Sequence, residues 1–446
     1  MKLWDKGTAT NRLVEEFTTG NDRDLDLLLA PWDILGSMAH VQMLLDSKLL
    51  KEAETKLLIK ELENLYHLAI KGELQIEDEV EDIHSQIEKS LTLKLGEAGE
   101  KIHTARSRND QVLLDIRLFT RDQIGLLTGQ VKELFDLLIE KSEANKDLLM
   151  PGYTHLQVAL PSSFGLWFGA FAESLTDDLI LLSAAYRIVN QNPLGSAAGY
   201  GSGFPIDRKQ TTLLLGFGDL VWNSVYAQMG RGKVEKTVAF ALSSVAATLS
   251  KLATDAILFM NQNFNFIHFP DSLTTGSSIM PHKKNPDVLE LIRAKCNNLQ
   301  ALPNDIALIT TNLPGGYHRD FQLLKERFLP AFEQLFGCIQ MTKLMLSHIK
   351  VHKRILEDQK YEPLFSVEEI NRKVKEGVPF RQAYREVAAS IAKGTFHPEK
   401  TIRHIHEGSI GNPGNDAIKK KMDKVLKTFD FQTTAKAIQK LVKETE

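Results

Sequence analysis

The sequence predicts an all-α chain, and three observations carry that prediction. Its 15 prolines leave gaps of 119 residues between Pro31 and Pro151 and of 64 residues between Pro205 and Pro270. Proline breaks helix interiors, so these gaps leave room for very long helices. Apolar residues inside the gaps recur at spacings of four and three, while alternating runs rich in Val, Ile and Thr are scarce.

A small helical region is expected up to about residue 104, a long-helix bundle over 105–357 and a C-terminal helical region over 358–446. From Gln111 to Asn145 the apolar members include Val112, Ile116, Phe119, Leu126, Leu134 and Leu138. A second seam runs Val238, Leu242, Val245, Leu249, Leu252, Ala256 and Phe259. Its mean spacing of about 3.5 is that of a bundle rather than of a lone surface helix. Leu289, Ile292, Cys296 and Leu299 repeat it after Pro286. The C-terminal part carries Gly377, Pro379 and Pro398, then a turn-rich stretch, GSIGNPGND, at 408–416.

Composition narrows the function classes. The 446 residues include 54 basic and 57 acidic side chains, a formal charge of −3. That balance argues against a nucleic-acid or membrane-surface binder, which draws on a basic excess. No stretch approaches 18 uninterrupted apolar residues, so no membrane span is expected. The N-terminus lacks the apolar core of a signal peptide. With two cysteines, Cys296 and Cys338, a disulfide framework and a multi-cysteine metal site are excluded, and a reducing cytoplasm is the expected setting.

Gly and Pro gather in compact islands between the helices, where chemistry tends to sit. In TTGSSIMPHKKNPDVLELIR (274–293), Asn285 before Pro286 reads as a helix cap and first helical residue. Lys283 and nearby amides could form a cationic pocket for an anion, or the stretch could be a solvated basic loop. A serine beside such a pocket could be a nucleophile or a base. In PGYTHLQVALP (151–161), His155 sits in a proline-bounded loop beside Thr154 and Gln157. A structural histidine fits there as well as a catalytic one, and no H-E-x-x-H or Cys/His cluster marks a metal. In HTARSRNDQ (103–111), Arg106, Arg108 and Asn109 precede a long helix and suit carboxylate or phosphate binding, or a salt-bridged helix start. The glycines of GSAAGYGSG (195–203) lack both the lysine and the preceding strand of a phosphate loop.

Together these islands resemble the fumarase/aspartase superfamily and, within it, the argininosuccinate lyase family. GSSIMPHKKNP resembles the superfamily signature loop. HTARSRNDQV, PGYTHLQVALP, NPLGSAAGYGSGFPIDR, EDIHSQIE (81–88), NLPGGYHRDFQLLKE (312–326) and GVPFRQAYREV (377–387) are similar to that family's other regions, in the same order. The resemblance implies a three-domain, all-α fold whose central long-helix bundle packs with three other copies. It implies a homotetramer with sites shared between chains, and no cofactor or metal. The implied reaction is reversible elimination of fumarate from argininosuccinate to give arginine. On the same resemblance Ser277 takes the proton, Lys283 and Asn285 hold the carboxylate, and His155 with Glu290 supplies or relays the acid proton. Ser107, Arg108, Asn109 and Thr154 would bind the succinyl half. Tyr317, Gln322, Lys325 and Arg231 would hold the far end.

The chain departs from the family pattern in places. Trp4-Asp5-Lys6-Gly7 replaces the usual opening, Asp22 stands where a substrate-touching serine is usual, Leu28 replaces an arginine, and Met229-Gly230-Arg231-Gly232 keeps only the arginine of its stretch. These lie on the side of the amine product, which leaves open a sister lyase acting on another N-substituted aspartate, or a catalytically silent paralogue. Adenylosuccinate as substrate fits the TARSRND and YTHLQ stretches less well. Arg106, Arg108, Lys283, Lys284, Arg319 and Lys325 fall in or beside these loops. A local basic excess is therefore expected there, offset elsewhere by acidic faces such as Glu77 to Glu81.

Overall fold

The computed structural model describes residues 11–443 except 403, so the departure at 4–7 lies outside the described residues. Helices α1 (Arg12–Thr19), α2 (Asp22–Asp46), α3 (Glu52–Ile70), α4 (Ile83–Leu95) and the single turn α5 (Glu97–Glu100) precede α6 (Arg108–Ala144). A hairpin of β1 (Leu149–Thr154) and β2 (Gln157–Ser163) leads into α7 (Phe164–Val189). Short pieces follow, β3 (Gln191–Asn192), α8 (Arg208–Leu214), β4 (Asp219–Leu220) and α9 (Ser224–Met229), before α10 (Lys233–Met260). Next come β5 (Ile267–His268), α11 (Asp287–Leu299), α12 (Leu302–Thr310), α13 (Gln322–His348) and β6 (Lys350–Val351). The described chain closes with α14 (Ser366–Lys375), α15 (Phe380–Ala392), α16 (Asn415–Leu426) and α17 (Phe431–Lys443).

The proline-free gaps do hold long helices: α6 has 37 residues and α10 has 28. At 1.5 Å per residue α6 is about 55 Å long. The chain then turns back, and α7 returns along α6. Arg117, near the start of α6, donates to the carbonyls of Ile188 at 2.8 Å and Gln191 at 3.1 Å, fixing the end of α7 there. The seam from Val238 to Phe259 is buried throughout and packs with α6, α7, α11 and α13 into the main core. By length and composition α10 could cross a bilayer; its apolar stripe is spent on this core instead.

A second core joins α2, α3 and α4 to Leu114 and Leu118 of α6, and Leu441 of α17 packs into it. Ile418, Met422 and Val425 of α16 pack into the main core, while α14 and α15 share a small cluster of Ile370, Ala383 and Val387.

The structure departs locally from the sequence reading. Pro31 and Pro330 lie inside α2 and α13, against the rule that proline breaks helix interiors. Buried neighbours such as Leu29 and Ala30, or Leu329 and Ala331, outweigh the roughly 3 kcal/mol that an interior proline costs. Leu126 is exposed, on the outer side of α6. The stretch 151–161, expected as a loop, is mostly paired strand, with Thr154 opposite Gln157 and Met150 opposite Ser162.

Candidate active site

At one end of the bundle α6 begins on a capping box. The Ser107 hydroxyl accepts the Asn109 amide at 3.2 Å, and the Asp110 carboxylate accepts the Ser107 amide at 2.9 Å. Arg108 and Asn109 therefore stand inside the first turn rather than before the helix. The other oxygen of Asp110 accepts the amides of Gly195 at 2.9 Å and Ala197 at 2.8 Å. The glycine-rich island thus spends amides on a carboxylate, which fastens it to the start of α6.

The cations gathered here are answered on the spot. Arg108 pairs with Asp82 at 2.9 Å and Glu81 at 3.2 Å, and Arg319 reaches Glu81 at 3.1 Å. The Lys325 ammonium lies 2.5 Å from Asp22 and 2.6 Å from Asp26, and all three side chains are largely buried. Lys284, in a different loop, pairs with Asp271. The local basic excess is consequently balanced in place, and Glu81, expected on a remote acidic face, is one of the balancing groups. Gln322 donates to the carbonyls of Thr18 and Thr19, both at 3.0 Å, closing the α1–α2 junction against α13.

Arg231 is buried, 2.8 Å from Glu235, and donates to the Phe321 carbonyl at 3.1 Å. Glu235 also accepts the Gly232 amide at 2.7 Å and so caps α10. Gly232 has φ 78°, and a Cβ there would come within 2.4 Å of Thr310. Arg231 accordingly supports the turn Arg319–Phe321, from which Gln322 and Lys325 project. Tyr317, part-exposed before that turn, packs its ring edge on Phe321.

Beneath the start of α6 lies a buried group that the sequence reading did not single out. His84 Nδ1 is 2.6 Å from Asp33 and 3.7 Å from Asp115. Burial alone would push the imidazole down, but Asp33, Asp115 and Asp82 raise it to about 10. Asp33, against the upward push of burial, is held below the usual carboxylate range by His84 and Arg106. The three side chains could also supply a cation with ligands; with His84 protonated they are an ion-pair cluster. Arg106 is part-buried beside it and donates to Ser37 at 2.8 Å, so it belongs to this support rather than to an open binding surface.

The remaining candidates sit at the other end. Thr154 and His155 occupy the exposed hairpin tip, where φ is 55° at His155 and 57° at Leu156. Two central residues with positive φ make a type I′ turn. The signature-like loop starts beyond α10 and β5. Ser277 Oγ accepts the amides of Met280 at 3.2 Å and Ile279 at 3.4 Å. Thr275 and Asn285 exchange backbone hydrogen bonds of 3.3 and 2.8 Å, which close the loop. The Asn285 side chain donates back to Gly276 at 3.2 Å and Thr275 at 3.3 Å, so it does not cap α11, which begins at Asp287. The Lys283 side chain is exposed and has no ion pair among the described residues. Glu290, exposed in the first turn of α11, makes no hydrogen bond or ion pair to His155 among the described residues.

One chain therefore brings together Ser107, Arg108, Asn109, Gln322 and Lys325, with Tyr317 and Arg231 alongside. Separately it brings together Ser277, Lys283, Asn285 and Glu290. Thr154 and His155 stand at the opposite end of α6 from Asn109, a separation of about 55 Å along the helix.

This fold and these islands are those of a lyase. The lyase family model matches residues 5–301, and the chain belongs to that family, which lies in the fumarase/aspartase superfamily of fumarate-releasing enzymes. A relative named argininosuccinate lyase, from Parabacteroides distasonis, is 58% identical over 441 residues, covering 99% of each chain. One of the same name from Thermotoga neapolitana is 40% identical over 88% of this chain and 98% of its own. Among solved structures, EDDS lyase in complex with formate superposes with a TM-score of 0.78 at 23% identity, covering 98% of this chain and 96% of that one.

Proposed function

We propose that this chain eliminates fumarate reversibly from argininosuccinate, releasing L-arginine. The observation that carries the reading is full-length identity to relatives of that name, in a chain that keeps every island needed for the chemistry.

A base must remove a proton from the carbon next to a carboxylate, and an acid must protonate the departing guanidinium nitrogen. Ser277 is the base, held in the loop by two backbone amides that would also favour its anion. Lys283, exposed and unpaired among the described residues, stabilises the charge that spreads onto the carboxylate. The Asn285 amide moves from the Gly276 carbonyl and the Thr275 hydroxyl to the same group. His155 delivers the acid proton, charged by Glu290 of another copy. Ser107, Arg108, Asn109 and Thr154 hold the succinyl half, and Tyr317, Gln322 and Lys325 hold the amine half. Arg231 acts through the Arg319–Phe321 turn.

The length of α6, about 55 Å, stands between Asn109 and the hairpin of His155 and supports a homotetramer in which each site draws on several chains, because no substrate of this size spans it within one. A cytoplasmic setting agrees with two buried, free cysteines.

Fumarate has a strong ultraviolet absorbance, so the test is direct. Argininosuccinate yields fumarate at enzyme-dependent rates, and adenylosuccinate yields none. Fumarate from adenylosuccinate alone, or from neither, would overturn the assignment.

A further inference from the structure

We infer that Asp22 makes the amine-half recess selective for a free α-ammonium group, so that Nα-acylated substrates and products are rejected. This rests on the reading above, in which Gln322 and Lys325 hold that half. Asp22 and Asp26 stand one turn apart on α2, both facing the Lys325 ammonium from α13, at 2.5 and 2.6 Å. Two carboxylates thus meet one cation in a recess largely shut from water. The neighbouring cation, Arg319, is shared with Glu81 and the Thr18 carbonyl. The recess is left one negative charge in excess.

The two carboxylates are not equivalent. Asp26 is fully engaged, with its second oxygen accepting the Ile83 amide at 3.3 Å. Asp22 makes no such second bond among the described residues, and its side chain keeps 15% of its surface open. It is the acceptor that a ligand can reach. Burial pushes its carboxyl up to about 6, with Asp26 adding to the rise and Lys325 and Arg319 opposing it. Near neutral pH it is therefore ionised but poorly compensated.

An α-amino acid end supplies what is missing. Its ammonium docks on the open Asp22 oxygen, while its carboxylate takes the third Lys325 N–H, an ammonium having three donors. An Nα-acyl group removes the cation and inserts bulk, leaving Asp22 buried against a neutral amide. Sites whose buried polar groups lose their partner reject the altered ligand strongly. A serine at this position, which the family pattern favours, would carry no such demand for charge.

The test uses the intact enzyme and two product analogues, L-arginine and Nα-acetyl-L-arginine, with affinities read by titration calorimetry. The wild type should prefer arginine by about 100-fold or more. In Asp22→Asn, which keeps shape and removes charge, and in Asp22→Ser, that ratio should fall below about 10-fold, chiefly through weaker arginine binding. Far-ultraviolet circular dichroism checks that the variants are folded, and the near-isosteric asparagine guards against collapse of the recess. A wild type that binds both analogues alike would overturn the inference, and so would an unchanged ratio in folded variants. Fumarate release is measured separately. Its absence would sink the proposed reaction, while the binding ratio still decides the role of Asp22.

Discussion

If sites are assembled between chains, two dead variants should repair each other. Asn109 lies in the first turn of α6 and His155 beyond its last, with about 55 Å of helix between them. Asn109→Ala and His155→Ala should each be nearly inactive alone, since every site then lacks one group. In hybrids assembled at random from equal amounts, a site works only when both of two choices fall correctly. The chain supplying the α6 start must be the His155 variant, and the chain supplying the hairpin must be the Asn109 variant. Each condition holds half the time, so about a quarter of wild-type activity should return. Co-expression from one plasmid gives the hybrids, and ultraviolet detection of fumarate gives the rate. Mixing the purified variants without dissociation is the control and should stay inactive. If co-expressed hybrids form, as differential tags can establish, yet remain inactive, then both groups act within one chain and the shared-site reading is refuted.

The other predictions are shorter. Ser277→Ala should abolish nearly all turnover while argininosuccinate still binds, and Lys283→Ala should lower kcat by about 100- to 1,000-fold, as for loss of one oxyanion donor; rates measured with calorimetric binding constants separate the two effects. Glu235→Ala strands the buried Arg231 and uncaps α10, so it should cost about 3–5 kcal/mol in thermal and denaturant melts. It should also raise KM more than it lowers kcat, because the turn before Gln322 loosens. The imidazole of His84 is raised above its ordinary value to about 10. Its contribution to stability is therefore complete below about pH 6.5 and drains away as pH rises towards 10. Melting temperatures recorded from pH 6 to pH 10 should fall more steeply for wild type than for His84→Gln.

The long helices were legible because proline spacing and apolar period are properties of contiguous sequence. The Val238–Phe259 seam is buried at every position named. Turn geometry was less legible. Nothing in Thr-His-Leu-Gln signals a two-residue hairpin of the kind usually marked by Asn-Gly, and Asn285 looked like a cap because it precedes proline. Least legible were the acidic partners of Lys325 and Arg319. Lys325 finds Asp26 across 299 residues of sequence, and Arg319 finds Glu81 across 238. His84 and Asp33 are 51 residues apart, on α4 and α2. Charge partners of this kind are set by how α2, α4, α6 and α13 converge, and single-segment patterns do not encode convergence. Motif resemblance supplied the positive residues; the structure supplied what neutralises them.

The hairpin tip sets a limit on how stable this protein can become. His155 and Leu156 both take the left-handed backbone conformation, which costs a residue with a Cβ roughly 1–2 kcal/mol relative to glycine. Asparagine or glycine at 155 would relax that local tension, and a selection for thermal resistance alone would be drawn to those replacements. The same replacements remove the imidazole from the point of the hairpin, the part of one chain best placed to reach into a neighbour. On the role proposed for His155, an accessible route to a sturdier scaffold passes through a dead enzyme, and variants evolved for heat tolerance should gain their stability elsewhere while the unfavourable histidine persists.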